Sequence, residues 1–126
     1  MISNIRQNIV YLNPDDKAID FYIVESNYPV VIKKLITRSP IAKRIEKGER
    51  FYTPLLEKIL VDLFAEEKLF YYLQGYELMR IYEKIISNYA INFTKLFSYA
   101  KRRDREQEIK QFMTNHISHL VKDIVE

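Results

Sequence analysis

The amino-acid sequence predicts an α+β fold: a small N-terminal β-sheet followed by a bundle of about four α-helices. Two observations carry this. Up to Thr53 the apolar residues fall in short β-branched and aromatic runs separated by turn formers. From Thr53 onward they recur at three- and four-residue spacing, the period of a helix face. Strands first and helices after, without βα alternation, make an α+β order. A third observation sets the scale. The chain has 126 residues, 48% hydrophobic and 29% charged, enough for a real core. The expectation is a single domain over 1–126, with strands at about 8–52 and helices at about 54–124.

The predicted strands are Asn8-Ile-Val-Tyr-Leu12, Asp20-Phe-Tyr-Ile-Val-Glu25 and Pro29-Val-Val-Ile-Lys33. Asn13-Pro14-Asp15-Asp16 and Ser26-Asn27 supply the turns between them. Leu35-Ile-Thr37 and Glu49-Arg-Phe-Tyr52 add one or two more, with Lys47-Gly48 as a turn. Thr53 then serves as an N-cap and Pro54 as the first helical residue, where its missing N–H is not needed. Leu55, Leu56, Ile59, Leu60, Leu63 and Phe64 make the apolar stripe of that helix. Gly75 separates it from a second, whose face is Leu78, Ile81, Tyr82, Ile85, Ile86 and Tyr89. Asn92 caps a third helix that buries Phe93, Leu96, Phe97 and Ala100. Asp104 caps the last, with Glu106 and Glu108 at the positive end of its dipole. Ile109, Phe112, Met113, Ile117, Leu120, Val121 and Ile124 form its buried face.

Composition excludes several chemistries. Without cysteine there are no disulfides, no thiolate nucleophile and no cysteine-based metal site. The two glycines form neither a P-loop nor a dinucleotide fingerprint, and no Gly-x-Ser-x-Gly elbow occurs. The longest apolar run, Leu69 to Leu73, is far short of a membrane span, and the N-terminus lacks a signal peptide's apolar region. A soluble, cytoplasmic, cofactor-free protein is therefore expected.

The net charge of +3 is local. Between Lys33 and Arg50 stand seven basic residues (Lys33, Lys34, Arg38, Lys43, Arg44, Lys47, Arg50) against two acidic ones (Glu46, Glu49). From Pro54 onward there are eleven of each sign. Such a window suits a phosphate backbone or an acidic partner, in a salt-dependent way; a solvated surface that maintains solubility is the plainer reading. A secondary basic cluster, Lys101, Arg102, Arg103 and Arg105, is diluted by Asp104, Glu106 and Glu108.

Both histidines lie in the last predicted helix. His116, His119 and Asp123 fall at i, i+3 and i+7, roughly on one face, a set that could ligate zinc. Near a helix C-terminus histidine also serves the dipole with no metal involved. Asp15-Asp16, Asp20 and Glu66-Glu67 are the paired carboxylates that acid–base catalysis would need, although a turn and a solvated helix edge account for them. Of ten tyrosines, Tyr71, Tyr72, Tyr76, Tyr82, Tyr89 and Tyr99 run through the helices. They fit core edges and protein contacts, or alternatively base stacking.

Three stretches carry a family resemblance: Tyr52-Thr-Pro-Leu-Leu-Glu-Lys-Ile-Leu-Val-Asp-Leu-Phe64, Leu73-Gln-Gly-Tyr-Glu-Leu78, and Ile91-Asn-Phe-Thr-Lys-Leu-Phe-Ser-Tyr-Ala-Lys-Arg-Arg103. They resemble the C-terminal domain of AbiEi-like proteins, the antitoxin and transcriptional-regulator half of bacterial type IV toxin–antitoxin systems. Pro54, Glu57, Lys58, Leu60, Val61, Asp62 and Leu63 occupy the segment that opens a helix in that family. The likeness covers roughly residues 20 to 112. It implies a DNA-binding repressor–antitoxin with a winged helix ahead of this domain, paired with a nucleotidyltransferase toxin. This sequence begins almost directly at the predicted sheet, so it is expected to be either part of a longer regulator or a short homologue lacking the winged helix. Neither Gly48 nor Gly75 is followed by serine, so the toxin's Gly-Ser loop is missing.

The expected function is that of a non-catalytic, antitoxin-like regulatory domain with a nucleic-acid-facing basic surface. The alternatives are a small metal-binding protein or hydrolase using His116, His119 and Asp123, and a structural protein-interaction module.

Overall fold

The computed structural model describes residues 10–24 and 29–125, with Tyr22 and residues 122–125 described by backbone alone. It is of the α+β class: short strands β1 (Val10–Leu12), β2 (Val30–Ile32), β3 (Ile41–Glu46) and β4 (Glu49–Pro54), and helices α1 (Asp16–Ala18), α2 (Leu56–Ala65), α3 (Tyr76–Asn88), α4 (Phe93–Arg102) and α5 (Glu106–Val125). The chain divides into two units, Met1–Leu35 and Ile36–Glu126, each described by itself.

In the first unit β1 and β2 pair in parallel, with Val10 opposite Val30, Tyr11 opposite Val31 and Leu12 opposite Ile32. Asn13 ties the ends together: its N–H donates to the Ile32 carbonyl at 2.7 Å and its side-chain oxygen accepts from the Lys34 N–H. The strand expected at 20–25 is helical as far as it is described. Asp15 accepts the Ala18 N–H at 2.8 Å and so starts α1, which continues as a wide π-type turn over Ile19–Ile23. A β-branched run this short fits either period. Ile19 and Ile23, four apart, are both buried, which decides for the helix. The helix also breaks the expected order of all strands before all helices. The turn expected at Ser26-Asn27, residues 8 and 9 of the first predicted strand, and Glu25 lie outside the described residues.

The second unit opens with an antiparallel hairpin in which Ile41 pairs with Pro54 and Glu46 with Glu49. Its two-residue turn is Lys47-Gly48, both at positive φ (+53° and +79°), the geometry that matches the twist of a hairpin. The turn and the strand beginning at Glu49 agree with expectation. The strand at 41–46 was not anticipated, and Leu35-Ile-Thr37 is not one.

The first long helix begins later than Thr53 and Pro54 suggest. Both remain in the β4 ladder, so Leu55 takes the N-cap position without a capping side chain. Pro54 tolerates the strand end because no N–H is required of it there. Gly75, at φ +66°, precedes α3 as expected. Asn92 caps α4, accepting the Lys95 N–H at 3.0 Å. Asp104 is not the cap of α5: it sits at φ +56° in the turn, two residues before the helix starts.

Four helices enclose one core. Leu60 and Val61 come from α2, Leu78 and Tyr82 from α3, Leu96, Tyr99 and Ala100 from α4, and Ile109, Met113, Ile117 and Val121 from α5. Phe112 anchors an aromatic group, edge-on to Phe64 at 5.5 Å and to Tyr82 at 5.1 Å. Of the tyrosines, Tyr82 and Tyr99 are buried, whereas Tyr71, Tyr72, Tyr76 and Tyr89 are exposed. Tyr89, counted in the α3 stripe, lies just past the helix end and leaves it.

Candidate nucleic-acid interface

The basic window spans both units. Lys33 and Lys34 follow β2 in the first, and Arg38, at φ +60°, stands in a turn at the start of the second. The hairpin gathers the other four. Every residue from Lys43 to Tyr52 is exposed, so the outer part of the ribbon shows solvent both of its faces.

Pairing register assigns those faces, because directly opposed residues share a side. One face carries Lys43 opposite Tyr52 and Ile45 opposite Arg50. Its cations stand on one diagonal and its apolar groups on the other, and it has no carboxylate. Ile45 is 70% exposed and Tyr52 61%. The other face carries Arg44 opposite Phe51 and Glu46 opposite Glu49. There Arg44 Nε donates to the Thr53 hydroxyl at 3.3 Å, and two carboxylates stand side by side next to the turn. Among the described residues, no carboxylate forms an ion pair with Lys43, Lys47 or Arg50.

The second basic cluster is divided by use. Lys101 and Arg102 are exposed in the last turn of α4. Arg103 is turned inward, donating to Asp62 Oδ1 at 2.6 Å and to Glu66 Oε2 at 2.8 Å. Arg105 bonds the Asp104 carbonyl at 3.2 Å and lies 3.7 Å from Glu108. Two of the four cations expected to face a partner are thus committed to the protein itself.

Arg103 belongs to a network that the sequence reading did not assemble. The Tyr99 hydroxyl donates to Asp62 Oδ1 at 2.7 Å and accepts from Lys58 Nζ at 3.0 Å, while Lys58 also reaches Asp62 Oδ2. Burial works against the charges on Lys58 and Arg103. For Lys58 the bonds to Asp62 and Tyr99 outweigh it; for Arg103 the Tyr99 hydroxyl and the charges of Asp62 and Glu66 do. Both pKa values end above their ordinary levels. Near the other end of α2, the buried Glu57 accepts the Asn92 N–H at 2.7 Å. Glu57, Lys58 and Asp62 therefore all bridge α2 to α4. Nothing local in the sequence announces this network, since Asp62 and Arg103 stand 41 residues apart.

The histidines do not converge. Backbone angles at Ile117 (φ −135°, ψ +31°) break α5 between His116 and His119, so ideal i, i+3 geometry fails there. His116 packs against Phe112 at 5.0 Å and lines a cavity of about 480 Å³ with Phe64, Gln74, Tyr76 and Met79. His119 Nε2 lies 3.9 Å from Glu83 Oε2 beside a separate groove. The Asp123 side chain lies outside the described residues. Among those described, no three His, Asp or Glu side chains are grouped to hold a metal ion. Of the carboxylate pairs, Asp15 is a helix cap and Glu66 an Arg103 partner, while Glu67 is exposed.

The chain belongs to DUF6577, a family of unknown function, whose pattern it matches over residues 1–119. Neither the curated proteins nor the solved structures contain a match. No helix among the described residues is long and apolar enough to cross a membrane.

Proposed function

We propose that this protein is a non-catalytic, antitoxin-like regulatory domain of a bacterial toxin–antitoxin pair, and that it touches nucleic acid through the β3–β4 hairpin. The observation that carries the contact is the hairpin itself: four cations on an exposed ribbon, none with a carboxylate partner among the described residues and only Arg44 bonded to another side chain, the Thr53 hydroxyl. Long cationic side chains held in water and free of ion pairs release counterions when they meet phosphates, the main source of affinity for nucleic acid. The antitoxin part rests on the sequence likeness to AbiEi-like C-terminal domains. It is supported by the way charged residues in two of the likeness-bearing segments, Lys58, Asp62 and Arg103, form one connected set, while Glu57 in the first of them bonds the Asn92 N–H of the second. A nucleotidyltransferase toxin is the corresponding functional partner.

The test is titration of the purified protein into labelled duplex DNA at low and moderate salt. Binding that weakens steeply with salt is expected. Absent or salt-independent binding overturns the nucleic-acid contact. Rescue of bacterial growth from a genetically adjacent nucleotidyltransferase toxin tests the antitoxin role, and failure to rescue overturns it.

A further inference from the structure

We infer that the hairpin meets duplex DNA with one face only, that of Lys43, Ile45, Arg50 and Tyr52, laid into the major groove; this rests on the nucleic-acid reading above. The two faces differ in sign. The Arg44 face also carries Glu46 and Glu49 as cross-strand neighbours, an anionic pair that repels a phosphate backbone approaching from that side. The opposite face has two cations and no acid. Dimensions agree as well, since the major groove, about 12 Å wide, admits a two-stranded β-ribbon.

Placement within the face assigns the contacts. Lys43 is on β3 and Arg50 on β4, so each long side chain reaches the groove wall on its own side. Ile45 and Tyr52, on the other diagonal, are left facing the floor, where apolar groups contact thymine methyls. Cations therefore supply the salt-dependent part of the affinity and Ile45 a salt-independent part.

Four single variants at exposed positions separate the faces, measured by fluorescence anisotropy on a mixed-sequence duplex over a salt series. Lys43→Gln and Arg50→Gln are each expected to weaken binding about fivefold or more and to lower the salt slope by about one. Arg44→Gln removes the same charge from the other face and is expected to change affinity by less than about twofold, with the slope kept. Ile45→Ser is expected to weaken binding with the slope unchanged. An Arg44→Gln loss equal to that of Lys43→Gln overturns the one-face assignment while leaving the nucleic-acid reading intact. Tighter binding to a single strand of the same length overturns the groove assignment in the same way. A wild-type protein that binds neither overturns the reading itself.

Discussion

Tyr99 on α4 donates its phenolic proton to Asp62 on α2, and that carboxylate also receives Arg103, the residue that closes the end of α4. A single carboxylate thus satisfies a buried hydroxyl and a cation that is 14% exposed in its side chain. Removing it leaves the Tyr99 proton without this acceptor, takes from Arg103 one of its two carboxylates, and takes from Lys58 its ion-pair partner.

Asp62→Ala is accordingly expected to destabilise the fold by about 2–3 kcal/mol, below the full penalty of a wholly buried pair because water reaches the site. In thermal denaturation this corresponds to a Tm lower by roughly 10 °C for a unit of this size. A loss under about 1 kcal/mol would mean that the network contributes little.

Arg103→Lys tests the fork. The guanidinium spans two carboxylates, Asp62 and Glu66, with separate nitrogens. An ammonium cannot reproduce that planar reach, so a loss of about 1 kcal/mol or more is expected despite the conserved charge. Chemical denaturation of the two proteins at one pH measures it, and equal midpoints would refute the bidentate role.

Alkaline pH should destabilise the protein from about pH 10. Burial, with the nearby Asp62 charge, pushes the Tyr82 hydroxyl well above its ordinary range, and Lys58 is shifted upward too. Both folded pKa values exceed the unfolded ones. The stability they confer is therefore complete below the unfolded pKa values and drains as pH rises past them. Tyr82→Phe sacrifices the bond to the Leu60 carbonyl and lowers stability at neutral pH. It should also flatten the decline above about pH 10, a difference that Tm measured against pH will show.

Gly48→Ala isolates backbone strain. A Cβ there meets nothing within 4 Å, so the φ of +79° is the whole obstacle. A cost of about 1 kcal/mol is expected, confined to the hairpin. Amide exchange in β3 and β4 should quicken while the α2–α5 core keeps its protection; uniform loss of protection would show that hairpin and core unfold together.

Much of the helical part was legible. Gly75 and Asn92 mark helix starts by local chemistry, conformational freedom in one and a capping oxygen in the other, and such signals act within a few residues. What was missed depends on partners elsewhere. Ile41 to Glu46 hides as a strand because four of its six residues are exposed, leaving no alternation between core and solvent to read. The run from Asp20 fits two periods, and only the burial of Ile19 and Ile23 chooses. The basic residues were visible as a window, but their division into two faces needs the register that pairs Ile45 with Arg50. Arg103 read as a surface cation because nothing near it in sequence announces Asp62, 41 residues away.

Contacts from Glu57 to Asn92 and from Glu66 to Arg103 run in the same sense along both helices, so α2 and α4 lie parallel. Parallel helices set like poles side by side: two bundles of unpaired N–H groups at one end and two of unpaired carbonyls at the other. Glu57 puts a negative charge between the two positive poles, and Arg103 a positive one beside the two negative poles. Each charge thus serves a pair of helices at once. Parallel packing of α2 on α4, otherwise opposed by their own backbones, is in this protein matched end for end by its side chains.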